Sequence, residues 1–244
     1  MSEIIITLKG ITKKFGEKTV LDNIDLDIRK GEILGIAGVN GSGKTTLLRI
    51  LVGFYKQDKG QLYFGTTPFS RVPDMKKKIG IATQDNCFYP RLTVEENIDY
   101  FGRIYGMTNA QIKASINDTL KLVNLYDVRK MLAKNLSGGM QKRVGIACSI
   151  IHSPQVIILD EPTSELDFFL KKDMIKLIKL INEQGITILI ASHHLSELES
   201  LCDRIAILED GKLVELGSPS ELKHIYSSHT LEGVFEKLVK RSVS

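Results

Sequence analysis

The sequence predicts an α/β protein: a parallel sheet with helices on both faces, and a helical lobe inserted between two of its strands. Three observations predict it. Ile33 to Ala37, Val156 to Leu159 and Ile186 to Ile190 are short, nearly continuous apolar runs, as buried parallel strands are. Helix-like patterns separate these runs, which implies crossover connections. From about Thr93 to Ile151 the apolar residues recur at helical rather than strand spacing, at Val94, Ile98, Phe101 and Ile104 and again at Leu120 and Val123.

Taken in order, Ile4 to Leu8 and Val20 to Ile28 alternate apolar and polar side chains in places, as half-buried strands do. Gly31 marks a turn before the first buried run. After a glycine-rich segment, Thr46 to Val52 reads as a helix ending near Gly53. The segment beyond Pro219 reads as short and helical. The runs at Val156 and Ile186 are each followed by polar residues, and sheets of this kind bind ligands at the carboxyl ends of their strands.

Bulk properties narrow the function classes. The 244 residues carry a net charge of +4, with the Lys and Arg residues spread along the chain. No dense basic block points to nucleic acid or to a lipid surface. Cys87, Cys148 and Cys202 are odd in number and widely spaced, which predicts free thiols rather than disulfides or a zinc site. The opening segment has no basic n-region and no long apolar run, so no signal peptide is expected. The apolar runs are too short to cross a bilayer, so any membrane role is expected to come through a partner.

Gly38-Val39-Asn40-Gly41-Ser42-Gly43-Lys44-Thr45 fits G-x-x-x-x-G-K-[ST] and lies between a buried strand and a helix. Such a loop turns its backbone N–H groups inward around phosphates, aided by the positive end of the following helix. Lys44 can reach the β- and γ-phosphates, and the Thr45 hydroxyl can ligate Mg²⁺. Val156 to Leu159 leads into Asp160 and Glu161. Asp160 is suited to hold Mg²⁺, and Glu161 to orient the attacking water or accept its proton. Ser137-Gly138-Gly139-Met140-Gln141 opens a helical run that continues to Ile151, a second helix start suited to an anion. Read alone, it is an ordinary capped helix.

With these segments in place, the sequence resembles the nucleotide-binding subunits of ATP-binding cassette (ABC) transporters over about Ile4 to Leu222. Gly38 to Thr45 match the Walker A motif, Val156 to Glu161 the Walker B motif, and Ser137 to Gln141 the signature motif apart from the variable Met140. Gln84 matches the glutamine loop, Ser164 to Asp167 the aspartate loop, His193 the switch histidine, and Phe15 the aromatic position that stacks on adenine. The resemblance implies a P-loop NTPase core with a mixed, mainly parallel sheet, an N-terminal antiparallel β part and an inserted α-helical lobe. The chain is then one nucleotide-binding domain, 1–244, with its core lobe at about 1–84 and 155–244 and its helical lobe at about 85–154.

The resemblance also implies ATP and Mg²⁺ as ligands. Phe15, Gly38 to Thr46, Ser137, Gly138, Gly139 and Gln141 would touch nucleotide. Thr45, Gln84 and Asp160 would serve the metal. Glu161, His193 and Gln84 would carry hydrolysis. Two subunits would pair head to tail, with Ser164 and Asp167 at the seam and Ser137 and Gly139 completing the opposite site. A transmembrane permease would be the further partner, placing the chain in the cytoplasm on the inner face of the membrane.

Tyr89-Pro90-x-Leu92-Thr93-Val94-x-Glu96-Asn97 and Tyr105-Gly106 resemble the subset that serves ABC-2-type exporters. Five aromatics (Phe88, Tyr89, Tyr100, Phe101, Tyr105) cluster there. Phe101 is expected to pack in the core, and Phe88 and Tyr89 to meet the membrane partner. Glu165 and Phe168 depart from the family pattern, where a small residue and a proline are frequent. With no proline at 168, Asp167 is positioned to cap the next helix, leaving Glu165 just outside it. A GTPase would need an Asn-Lys-x-Asp segment, which is absent. The rival within the family is a non-transport ATPase of DNA repair or translation, but those usually carry a long coiled-coil insertion or a second cassette. The transported substrate is not legible.

Overall fold

The computed structural model describes residues 3–72, 74–85 and 87–242, with only the backbone described at 76 and 239–242. These residues form ten strands and eight α-helices. The chain separates into two compact units, residues 1–72 with 189–244, and residues 73–188.

The first unit opens with β1 (Ile4–Phe15) and β2 (Lys18–Arg29), paired antiparallel. β1 pairs on its other side with β4 (Lys59–Phe64), which pairs with the two-residue β5 (Thr67–Pro68). This is the N-terminal antiparallel β part. Between β2 and β4 the chain forms β3 (Ile33–Ala37), buried at all five residues, and α1 (Lys44–Leu51). The alternation in β2 puts Leu21, Ile24, Leu26 and Ile28 in the core, each worth about 1.5–3 kcal/mol when fully buried.

β3 pairs in parallel with β9 (Arg204–Glu209), and β9 pairs antiparallel with β10 (Lys212–Gly217). The α6 helix (Leu195–Leu201) precedes β9, and α7 (Pro219–Ile225) and α8 (Leu231–Ser242) follow β10. α7 starts at a capping box in which Ser218 and Glu221 satisfy each other's backbone N–H groups.

The second unit contains β6 (Ile79–Ala82) and β7 (Val156–Asp160), paired in parallel and separated in sequence by α2 (Val94–Ile104), α3 (Asn109–Leu122) and α4 (Gly138–Ile150). α2 packs on both α3 and α4. Thr93 with Glu96 and Thr108 with Gln111 form capping boxes that start α2 and α3. α5 (Phe168–Glu183) follows β7, and β8 (Thr187–Ser192) runs across the division between the units.

The sequence reading assigns no strand to β4, β5, β6, β9 or β10. β6 is only Ile-Gly-Ile-Ala, and Gly80 is there because an added Cβ would collide with the Ser149 carbonyl of α4. β9 holds the run Ile205 to Leu208, buried throughout, so its signal is present in the sequence. Tyr105 stacks on His152 with ring centroids 3.6 Å apart, an internal contact of the second unit.

Candidate nucleotide-hydrolysis site

The phosphate loop lies in the first unit, at the carboxyl end of β3. Gly38 and Gly43 are required there for different reasons. A Cβ on Gly38 would come within 2.5 Å of the Leu208 carbonyl oxygen. Gly43 has φ +108°, outside the range of L side chains, and a Cβ there would lie 2.7 Å from Leu21. The turn between β9 and β10 props the loop, the Gly211 N–H donating to the Ser42 carbonyl at 3.1 Å.

α1 therefore begins at a glycine, with no side chain capping its first N–H groups. The Lys44 ammonium is buried and donates to the Gly38 carbonyl at 2.7 Å and the Val39 carbonyl at 3.1 Å. Ser42 Oγ is buried and has no hydrogen-bond partner among the described residues. Leaving a buried hydroxyl unpaired costs about 1–3 kcal/mol. An orphan hydroxyl, a glycine cradle and an uncapped helix start in one loop fit an anionic group with many acceptor oxygens. Thr45 is exposed on the first turn and Thr46 is half-buried.

The same unit holds Phe15 and His193. Phe15 ends β1 and is 44% exposed, with Tyr55 edge-on at 5.2 Å and the Lys13 ammonium 5.3 Å from its ring centre. His193 follows β8 and is exposed, its ring centroid 4.0 Å from that of half-buried His194. The His194 N–H donates to Ser192 Oγ at 3.0 Å.

The second unit holds the acids and the second glycine-rich segment. Asp160 ends β7 and is buried, as is Glu161 beside it. Glu161 sits in the left-handed region at φ +51°. Such a conformation costs a non-glycine residue about 1–2 kcal/mol and persists only when neighbours hold it. Ser164 does so, donating to the Glu161 carbonyl from its N–H at 3.2 Å and from its hydroxyl at 2.9 Å.

Asp167 caps α5, accepting from the N–H groups of Phe169 and Leu170, both at 2.9 Å. Glu165 lies outside the helix, exposed, at φ +66°. Ser137 caps α4 through the Met140 N–H at 3.4 Å, with Gly138 and Gly139 in the first turn. The Gln141 amide turns back onto its own segment, donating to the carbonyls of Leu136 at 3.2 Å and Ala133 at 3.4 Å. Gln84 is exposed, just beyond the end of β6.

Lys142 is a residue that motif reading missed. Its ammonium donates to the Gln84 carbonyl at 2.7 Å and approaches Ser164 Oγ at 3.4 Å. Burial draws it below the usual lysine range, against the opposing charges of Glu165, Asp85, Glu161 and Asp160.

A phosphate loop opening the helix after a buried parallel strand, with acids ending another, defines a P-loop nucleoside triphosphatase of the α/β class. Comparison with known proteins narrows the class. Residues 21–164 match the family model described as ABC transporter. The linearmycin resistance ATP-binding protein LnrL of Bacillus subtilis is 33% identical over 219 residues, 89% of this chain and 70% of that protein. The spermidine/putrescine import ATP-binding protein PotA of Nitratidesulfovibrio vulgaris is 37% identical over 89% of this chain, which spans 60% of that protein's length.

Among solved structures, cbiO1 from Clostridium perfringens, part of the transporter complex cbiONQ, matches at 27% identity with a TM-score of 0.83, covering 98% of this chain and 96% of that one. An ATP-binding cassette solved as a dimer, in a post-hydrolysis state bound to ADP and Pi, matches at 29% identity and a TM-score of 0.78, covering 88% and 98%. The chain belongs to the ABC transporter family, as an ATP-binding, ATP-hydrolysing cassette. Among the described residues no helix is long and apolar enough to cross a membrane.

Proposed function

We propose that this chain hydrolyses ATP, as one of a head-to-tail pair of cassettes, to drive export through an ABC-2-type permease at the inner face of a cell membrane. The single observation that carries the nucleotide chemistry is the phosphate loop with its unpaired Ser42 hydroxyl. Gly38 to Thr46 would wrap the triphosphate. Lys44 would exchange its carbonyl partners for phosphate oxygens, a stronger charge-assisted bond. Phe15 would stack on the base.

Thr45 and Asp160, with Gln84, offer hard oxygen donors of the kind Mg²⁺ takes. Mg²⁺, when bound, neutralises charge on the phosphates. Glu161 would hold the attacking water and accept its proton, and His193 would bond the γ-phosphate. Ser137, Gly138, Gly139 and Gln141 would meet the partner cassette's nucleotide, with Ser164 and Asp167 at the seam. The boundaries that go with this reading are a core lobe at about 1–84 and 155–244 and a helical lobe at about 85–154.

Export rests on the resemblance carried by Tyr89 to Asn97, since the relatives' names include both resistance and import. Tyr89 is 47% exposed and edge-on to exposed Tyr100 at 4.7 Å, while Phe88 and Phe101 are half-buried. Tyr89, Tyr100 and Phe88 are the residues offered to a permease.

Glu161→Gln tests the hydrolytic assignment. The amide is a poor proton acceptor, so turnover should fall at least about 100-fold while ATP still binds. The variant should accumulate as a dimer at saturating MgATP, measured by size-exclusion chromatography with light scattering. Undiminished turnover would remove Glu161 from its role, and a persistent monomer would remove the paired arrangement.

A further inference from the structure

A lysine in the first turns of a helix is ordinarily solvated, because its ammonium is strongly hydrated and its stem is flexible. Lys142 is not. Its side chain lines a narrow cleft with Ala82, Thr83, Cys87, Asp160 and Pro162, and burial opposes its charge. The partners it has found belong to other segments. One is the Gln84 main-chain carbonyl, 58 residues away in sequence, at 2.7 Å. The other is Ser164 Oγ, 22 residues away, at the longer distance of 3.4 Å.

Ser164 passes the connection on. Its hydroxyl proton goes to the Glu161 carbonyl at 2.9 Å, so its oxygen lone pairs face the ammonium. A chain of contacts thus runs from the Gln84 carbonyl through Lys142 and Ser164 to the backbone of Glu161. Each link lies within one compact unit. The last link holds a residue whose left-handed backbone needs external support.

We propose that Lys142 is a positioning residue for hydrolysis, clamping the glutamine loop at Gln84 to the turn that orients Glu161. This rests on the hydrolytic reading of Glu161 and Gln84 above. Lys142 sits on α4, the helix opened by Ser137 to Gln141, so any displacement of that helix start is transmitted to Gln84 and Glu161 together. Its proposed role is to hold Gln84 and the Glu161 turn in place, through the contacts to the Gln84 carbonyl and Ser164 Oγ.

The test compares the wild type with Lys142→Met, which keeps the stem and removes the donors, and Lys142→Arg, which keeps a cation with donors. For Lys142→Met, kcat should fall about tenfold, with KM for ATP within about twofold of wild type. Without nucleotide, backbone hydrogen exchange across residues 82–85 should accelerate by about tenfold, while the melting temperature moves by no more than about 3 °C. Lys142→Arg should recover most of the kcat and the slow exchange.

Wild-type kcat and exchange in Lys142→Met would overturn the proposal. So would a loss accompanied by a large drop in melting temperature and no rescue by arginine, the pattern of a structural residue. If the wild type itself shows no ATPase, the hydrolytic reading fails instead, and the exchange measurement still decides whether Lys142 holds the loop.

Discussion

Two helices of this protein begin at glycine-rich segments, and they treat their first N–H groups in opposite ways. α1 begins at Gly43 with no side-chain cap, Lys44 turned onto loop carbonyls and Ser42 Oγ unpaired. α4 begins at Ser137, whose hydroxyl caps the helix, and Gln141 bonds back to Leu136. Side chains also cap α2, α3, α5 and α7. The phosphate loop thus leaves a buried hydroxyl unpaired, at a cost in stability. The signature segment is complete as a helix start and can present backbone N–H groups without depending on a ligand to form.

The comparison can be broken most decisively at Lys44. Lys44→Ala should lower kcat/KM for ATP by more than about 100-fold, since the charge proposed to move from the loop carbonyls onto phosphate is removed. Steady-state ATPase and nucleotide-binding measurements check it, and near-normal turnover would dismantle the phosphate-loop assignment.

The two serines sharpen the contrast, because the expected signs are opposite. Ser137→Ala should destabilise the nucleotide-free chain by about 1 kcal/mol, the usual cost of a lost N-cap. That is roughly 2–4 °C in melting temperature for a domain of this size. Ser42→Ala removes an unpaired buried hydroxyl and should leave the nucleotide-free chain unchanged or up to about 1 kcal/mol more stable, while weakening ATP binding. Calorimetric melts with and without MgATP read both. A Ser42→Ala variant that loses stability without nucleotide would show that the loop is not waiting for a partner.

The smallest effect is expected at Glu165. Its φ of +66° favours glycine, so Glu165→Gly should raise stability by about 0.5–1 kcal/mol. Its side chain is exposed, so ATP-dependent dimerisation should stay within about twofold of wild type at low and high salt. A marked increase in dimer affinity at low salt would instead place this carboxylate against the partner's phosphates.

Read alone, the sequence determined the phosphate loop, the buried runs at β3 and β7, the helical patterning of α2 and α3, and the cap at Asp167. These are legible because each depends on residues adjacent in the chain: a glycine that must reach φ +108°, an apolar run with acids at its end, a carboxylate one residue before a helix. Motif order nominated Gln84, Ser137 and His193 as candidates, but not what their neighbours do.

Only the tertiary structure decided that Lys44 rests on its own loop, that Gln141 turns inward, that Glu161 adopts a left-handed backbone, and that Lys142 joins Gln84 to Ser164. β6 escaped the sequence for the same reason, since the glycine that weakens its strand signal is required by contact with α4. Each of these depends on the close approach of groups brought together by packing, and in the case of Lys142 on partners 22 and 58 residues distant. A hydrogen bond is set by separations of a few tenths of an ångström, and a linear pattern carries no distances between segments it does not join.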